Sequence, residues 1–249
     1  MKKISVINLK GGVGKTTTVL NLGKGLALKD KRVLLIDLDP QANLSISLFT
    51  HSEKTIYDVL INNTHPIDVI INISENLDMI CANDSLGKAE MIMAGMPARE
   101  SILKRALEPI FNYDYVIIDC PPSESLLNYN ALFYSTEAII PVSTDYLGIV
   151  GLKKVVGLLD TINSLFGHEV KISAVLPTLY DKRNKICKES YDEIKKGFNG
   201  EVVNPIRINS KLKEAPKFGM SIFEYDKHSN GSKDYSQVID QLLSRQYFY

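Results

Sequence analysis

The stretch Lys10-Gly11-Gly12-Val13-Gly14-Lys15-Thr16-Thr17 limits this chain to few folds. The apolar run Ile4-Ser5-Val6-Ile7-Asn8-Leu9 before it reads as a strand. Val19, Leu22 and Leu26 after it share one helical face. Strand, glycine loop and helix together form the context of a phosphate-binding loop. The glycines let successive backbone N–H groups turn inward on an anion, and the helix start adds partial positive charge. In that arrangement Lys15 reaches the β- and γ-phosphates and Thr16 offers its hydroxyl to magnesium. One position departs from the general pattern. The glycine expected five residues before Gly14 is Leu9, and a second lysine, Lys10, opens the loop.

Apolar strands and amphipathic helices alternate along the rest of the chain. Val33–Asp37, Leu77–Cys81, Tyr115–Asp119, Ala138–Val142 and Ile172–Leu176 read as strands, with a short one at Val202-Val203. Helical spacing runs through Ile102–Ile110 and through residues 148 to 166, and a charged helix follows Leu176. This predicts an α/β fold: a doubly wound, mostly parallel sheet with helices on both faces. At 249 residues with no linker, residues 1–249 are expected to form a single P-loop domain. Such sheets bind ligands at the carboxyl ends of their strands, where the glycine loop, Asp37, Asp39 and Asp119 fall.

Paired acids at the end of a buried strand are costly to desolvate, so Asp37 and Asp39 read as part of a magnesium and water site. Asp119, after four apolar residues, reads as an acid that holds magnesium through water. Cys81, Cys120 and Cys187 form no close pair, which fits inert thiols in a reducing cytosol. No signal peptide or membrane span is expected. The 29 basic and 29 acidic residues balance, so any polyanion partner must be met by local clusters. Lys182, Arg183, Lys185, Lys188, Lys195 and Lys196 form one cluster; Arg207, Lys211, Lys213 and Lys217 form another. Both lack interleaved aromatics and suit duplex phosphate contact without base reading. A solvated helix face is the alternative for any single lysine.

The loop resembles the deviant Walker A motif of the ParA/MinD family of ATPases. Asp37-Leu38-Asp39-Pro40-Gln41-Ala42-Asn43, Asp119-Cys120-Pro121-Pro122, Lys213-Glu214-Ala215-Pro216, Ile222–Asp226 and Asp234-Tyr235 look like ParA proteins, including the Soj type. Ala42 stands where the family usually has glycine. The resemblance implies ATP and ADP as nucleotides, with Mg2+. It implies an ATP-bound homodimer in which Lys10 reaches the nucleotide of the other subunit and Asp39 helps to position the attacking water. Lys10, Lys15 and Asp39 are then catalytic. Gly11, Gly12, Val13, Gly14, Thr16 and Thr17 cradle the nucleotide, and Thr16, Asp39 and Asp119 serve the metal. Pro177 and Thr178 resemble the adenine-contacting segment, and Pro205 and Arg207 offer a second wall; a plain loop is the alternative for each. Cys120 also invites comparison with nitrogenase iron protein, but the two prolines after it and the strand setting of Cys81 speak against a cluster.

Basic residues matching Arg183 and Lys211 contribute to nonspecific duplex binding in ParA relatives. Lys185, Lys188, Lys213 and Lys217 join them as DNA-contact candidates. The implied activity is DNA partitioning, with nonspecific double-stranded DNA and a ParB-type centromere-binding protein as partners. The expected place is the cytoplasm, on the nucleoid, with no membrane. With Lys10 so near the start, no N-terminal helix-turn-helix domain is expected. Two other readings compete. A MinD-like membrane-cycling ATPase would end in a basic amphipathic helix, yet only Arg245 is basic in Val238–Tyr249. A bacterial tyrosine kinase would use Tyr247 and Tyr249.

Overall fold

The computed structural model describes residues 1–198 and 200–245. Among the described residues seven strands form one sheet: β1 (Lys2–Val6), β2 (Val33–Asp37), β3 (Ile70–Ser74), β4 (Leu77–Ile80), β5 (Tyr115–Asp119), β6 (Glu137–Ser143) and β7 (Lys171–Thr178). Their order is β3-β4-β2-β5-β1-β6-β7. All neighbours pair in parallel except β3 with β4. The first helices are α1 (Lys15–Ala27), α2 (Asn43–Ser47), α3 (Ile56–Ile61), α4 (Leu86–Ala94), α5 (Ile102–Ala106) and α6 (Leu126–Tyr134). The remainder are α7 (Tyr146–Phe166), α8 (Lys185–Gly197), α9 (Lys211–Glu214), α10 (Ile222–Tyr225) and α11 (Asn230–Ser244).

Strand side chains alternate between two cores, because successive residues of a strand point to opposite faces. Leu34, Ile36, Val116 and Ile118 pack with Leu127 of α6 and Leu152 and Val155 of α7. Val33, Leu35, Tyr115 and Ile117 pack with Val19, Leu22 and Leu26 of α1 and with Tyr235, Val238 and Ile239 of α11. From β1 the chain crosses through α1 to β2, beyond β5. From β5 it crosses through α6 to β6, on the other side of β1. The two connections leave in opposite directions, which opens a crevice at the carboxyl ends of β1 and β5.

Several boundaries differ from the sequence expectations. β1 ends at Val6 rather than Leu9, because the Asn8 side chain takes the strand's place. Its amide donates to the Pro141 carbonyl at 2.7 Å and accepts the Lys10 N–H at 2.9 Å. Val202-Val203 is no strand; Val202 makes an isolated bridge to Val175. The helix expected over Ile102–Ile110 stops at Ala106. β3 was not foreseen at all: it is an edge strand, only partly buried, and it pairs on one side alone. The apolar face of α11 is core packing against α1. Tyr247 and Tyr249 lie outside the described residues.

Candidate functional site

The glycine loop connects β1 to α1 across that crevice. Gly12 and Gly14 sit at φ +74° and +89°, the left-handed region where a side chain is costly. Gly14 opens α1, and its carbonyl accepts the Thr18 N–H at 2.9 Å. No side chain caps this helix start and no acid occupies its first turn, so the first N–H groups remain available to an anion. Thr178 at the end of β7 fixes the loop from below by donating its hydroxyl to the Val13 carbonyl at 2.8 Å. Lys15 is buried, and its ammonium donates to the Lys10 carbonyl at 3.2 Å. Burial lowers its pKa, against the opposing pull of Asp119 and Asp39.

Three acids stand beside the loop. Asp37 and Asp119 are register partners across the β2–β5 pair. Asp37 is fully buried and holds the loop that follows it. It accepts the Ser45 N–H at 2.9 Å, the Ser45 hydroxyl at 2.8 Å and the Asp39 N–H at 3.2 Å. Burial nevertheless pushes its pKa up to about 6. Asp39 lines the cleft and accepts the Gln41 N–H at 2.9 Å. Asp119 is fully buried, and neither carboxylate oxygen has a hydrogen-bond partner among the described residues. Burial raises its pKa well above the usual range and neighbouring Asp37 adds to that, against the opposing pull of the nearby Thr16 hydroxyl and the Lys15 charge.

An orphaned buried carboxylate beside a threonine hydroxyl is the donor set of a magnesium ion that takes its other ligands from phosphates and water. Among the described residues no group of three or more His, Cys, Asp and Glu is placed to cage a metal. Thr16 and Asp119 would therefore fit magnesium held jointly with a phosphate chain, whose charge the ion would neutralise.

Lys10 points away from the loop interior. Its ammonium lies 3.0 Å from the Ser143 hydroxyl and 2.9 and 3.1 Å from the two Asp145 oxygens. Asp145 also caps α7 by accepting the Gly148 N–H at 2.8 Å. Partial burial works to raise the Asp145 pKa, but these hydrogen bonds outweigh it and hold the acid below its ordinary value.

The open cleft over the loop measures about 380 Å³. Of the residues expected to cradle the nucleotide or serve the metal, Gly11, Gly12, Gly14, Lys15, Thr16, Thr17 and Asp39 line it, whereas Lys10 and buried Val13 do not. Leu20, Asn21, Asn43, Ser47, Pro122, Leu212, Ala215, Pro216 and Met220 complete it. Of the other expected base-contact residues, Thr178 braces the loop, and Pro177 is buried with its carbonyl bonded to the Ile206 N–H at 2.8 Å. Pro205 lies beside that pairing, partly buried. Arg207 is clamped by Asp234 of α11 through its backbone N–H at 2.9 Å and its guanidinium Nε at 3.0 and 3.1 Å. None of these four lines the cleft. Asp145 and Ser45 were missed by sequence reasoning. Asp145 carries a legible signal, an acid just past the carboxyl end of a buried strand.

The basic candidates are exposed, apart from half-buried Lys211, but not all are free. Arg183 pairs with Asp181 at 3.0 and 3.1 Å, Lys185 with Glu189 at 3.6 Å, and Lys211 with Glu214 at 2.9 Å. Lys188, Lys213 and Lys217 are exposed. The three cysteines are buried and unbridged, and burial raises the pKa of Cys81 and Cys120. Among the described residues no helix is long and apolar enough to cross a membrane.

A family model described as an AAA domain matches residues 1–172. The chain is 41% identical to the sporulation initiation inhibitor protein Soj of Bacillus subtilis, over 98% of each chain. It is 34% identical to the chromosome-partitioning ATPase Soj of Treponema pallidum, again over 98% of each. Among solved structures it is similar to cobyrinic acid a,c-diamide synthase of Mycobacterium smegmatis with bound ADP and magnesium. That match has a TM-score of 0.85 and 30% identity, over 99% of this chain and 96% of the other.

Proposed function

The chain belongs to the Soj/ParA family of chromosome-partitioning ATPases, and on that premise we propose that it is an ATP-operated dimer switch for DNA segregation. Residues 1–249 act as one P-loop ATPase domain. The observation that carries this reading is the contrast between the two lysines of one loop. Lys15 is drawn into the loop, whereas Lys10 faces outward to Asp145, free to exchange that partner for another anion. Lys15, the loop amides and the start of α1 hold the ATP phosphates. Thr16 and Asp119 hold magnesium, on which hydrolysis depends, and Asp39 orients the attacking water. Lys10 of each subunit neutralises phosphate charge on the nucleotide of the other.

Dimerisation brings two copies of the basic residues Arg183, Lys185, Lys188, Lys211, Lys213 and Lys217 to one duplex. Affinity for nonspecific DNA rises because the phosphate contacts double. A ParB-type partner stimulates hydrolysis and releases the DNA, and the protein works on the nucleoid in the cytoplasm. The full-length 41% match to Soj favours partition over the chemistry named for the synthase. Burial of the α11 face against α1 weighs against a membrane-inserting end.

Sedimentation with nonspecific duplex and, separately, with anionic liposomes tests this, each with ATP and with ADP. ATP-dependent DNA binding without liposome binding is expected. Liposome binding without DNA binding would place the chain in the membrane-cycling branch.

A further inference from the structure

The segment between Arg207 and Ile222 has two faces. Leu212, Ala215, Pro216 and Met220 line the nucleotide cleft, while Lys213 and Lys217 face solvent. It is pinned at both ends. Asp234 holds Arg207, and the Ile222 N–H donates at 2.8 Å to Asn21 of α1, whose amide in turn donates to the Thr17 carbonyl at 2.8 Å. Within it, Glu214 accepts from Lys211 at 2.9 Å and from the Tyr225 hydroxyl at 2.8 Å, and Phe218 stacks on Tyr225 at 5.3 Å. These contacts make the segment one unit, so a push at one point moves the lysines too.

The other wall of the cleft is the stretch that begins with Asp39 and contributes Asn43 and Ser47. The two walls meet at Phe49 and Gly219. A Cβ on Gly219 would fall 2.8 Å from Cδ2 and 3.2 Å from Cγ of the Phe49 ring, so a side chain at 219 would displace the ring. Gly219 sits at φ +67°, and Phe49 itself at φ +53°, a conformation that a bulky residue rarely holds. Phe49 is 68% exposed, so core burial does not account for its placement. Strained residues of this kind cluster at clamps and switches.

We propose that the Phe49–Gly219 contact couples the Asp39-bearing loop to segment 211–220, so that the occupant of the cleft sets the placement of Lys213 and Lys217 within a single chain. The inference rests on the proposed roles of Asp39 and the nucleotide cleft. It adds a coupling carried by contacts inside each chain. Loss of contacts to Asp39 on hydrolysis shifts Phe49, and the segment follows as a unit.

Amide hydrogen exchange over 211–220 tests it, in the wild type and in Phe49→Gly, with magnesium and either ADP or a nonhydrolysable ATP analogue. Glycine suits the φ of position 49, so the variant removes the ring without adding backbone strain. The wild type should exchange about fivefold or more slowly with the analogue than with ADP at Gly219 and Met220, whose N–H groups bond to Pro216 and Ala215. Phe49→Gly should lose that difference while nucleotide still protects the amides of residues 11–16. Gly219→Ala disturbs the same contact from the other side and should give the same loss. Equal exchange with both nucleotides in the wild type overturns the coupling, as does a difference that survives in Phe49→Gly. A wild type that shows the difference yet binds no duplex keeps the coupling and removes the DNA reading.

Discussion

The Lys10 ammonium is held by Asp145 at 2.9 and 3.1 Å, and the same carboxylate caps α7 through Gly148. The residue proposed to cross the dimer interface is therefore tied within its own subunit. The pair is partly solvated, with side-chain exposures of 29% and 46%, so it is a weak tether that phosphate oxygens can displace. Lys10→Ala should bind nucleotide and fail to dimerise with ATP in light scattering. Asp145→Asn keeps a helix cap but removes the competing charge, and should dimerise at lower ATP concentration. Normal dimerisation of Lys10→Ala contradicts contact across the interface.

Lys15→Ala should abolish tight ATP binding in calorimetry. In the proposed site the buried ammonium is the charge turned on the phosphates, and the backbone amides alone would not replace it. Affinity equal to that of the parent would mean that the loop holds something else.

Asp39→Ala should still dimerise with ATP but hydrolyse it on the order of 100-fold more slowly, the usual loss when a positioned proton acceptor is removed. Phosphate release measured alongside light scattering separates the two effects. Unchanged turnover would take Asp39 out of the reaction.

Asp37 sets a pH dependence. Its pKa rises from 3.8 in the unfolded chain to about 6 when buried. Between those values the folded protein keeps a proton that the unfolded chain has lost. The contribution of Asp37 to stability is thus complete below 3.8 and is lost as pH rises through about 6, roughly 3 kcal/mol in all. Asp37→Asn carries no such proton. In thermal denaturation without nucleotide, its melting temperature relative to wild type should rise between about pH 5 and about pH 7.5. A gap that ignores pH would contradict the buried, protonatable carboxyl.

The sequence shows most clearly what is local. β2 and β5 match their expected spans because each is a continuous apolar run buried on both faces. The phosphate loop is legible because only glycines tolerate its turns. The far wall of the cleft is not: Leu212 and Met220 approach Leu20 and Asn21 from about 200 residues away, through pins at Arg207 and Ile222 that no spacing rule announces. Arg207 fits a base pocket by sequence, yet Asp234, 27 residues on, claims its guanidinium. β3 escapes because a half-exposed edge strand mixes Asn72 and Ser74 with its isoleucines and follows a 3-10 turn.

In the proposed switch ATP turns DNA binding on through the dimer, and a gel shift on nonspecific duplex measures that step. Wild type and Lys10→Ala are titrated with ATP and with ADP at several salt concentrations. The wild type should bind with ATP and far more weakly with ADP. Its affinity should fall with salt at a log–log slope of about −0.9 per phosphate neutralised, with similar loss across DNA sequences. Lys10→Ala should bind only at the ADP level with either nucleotide. Wild-type binding that is equal with ATP and ADP, or a Lys10→Ala protein that keeps the full ATP response, would mean that ATP does not act on DNA binding through the dimer.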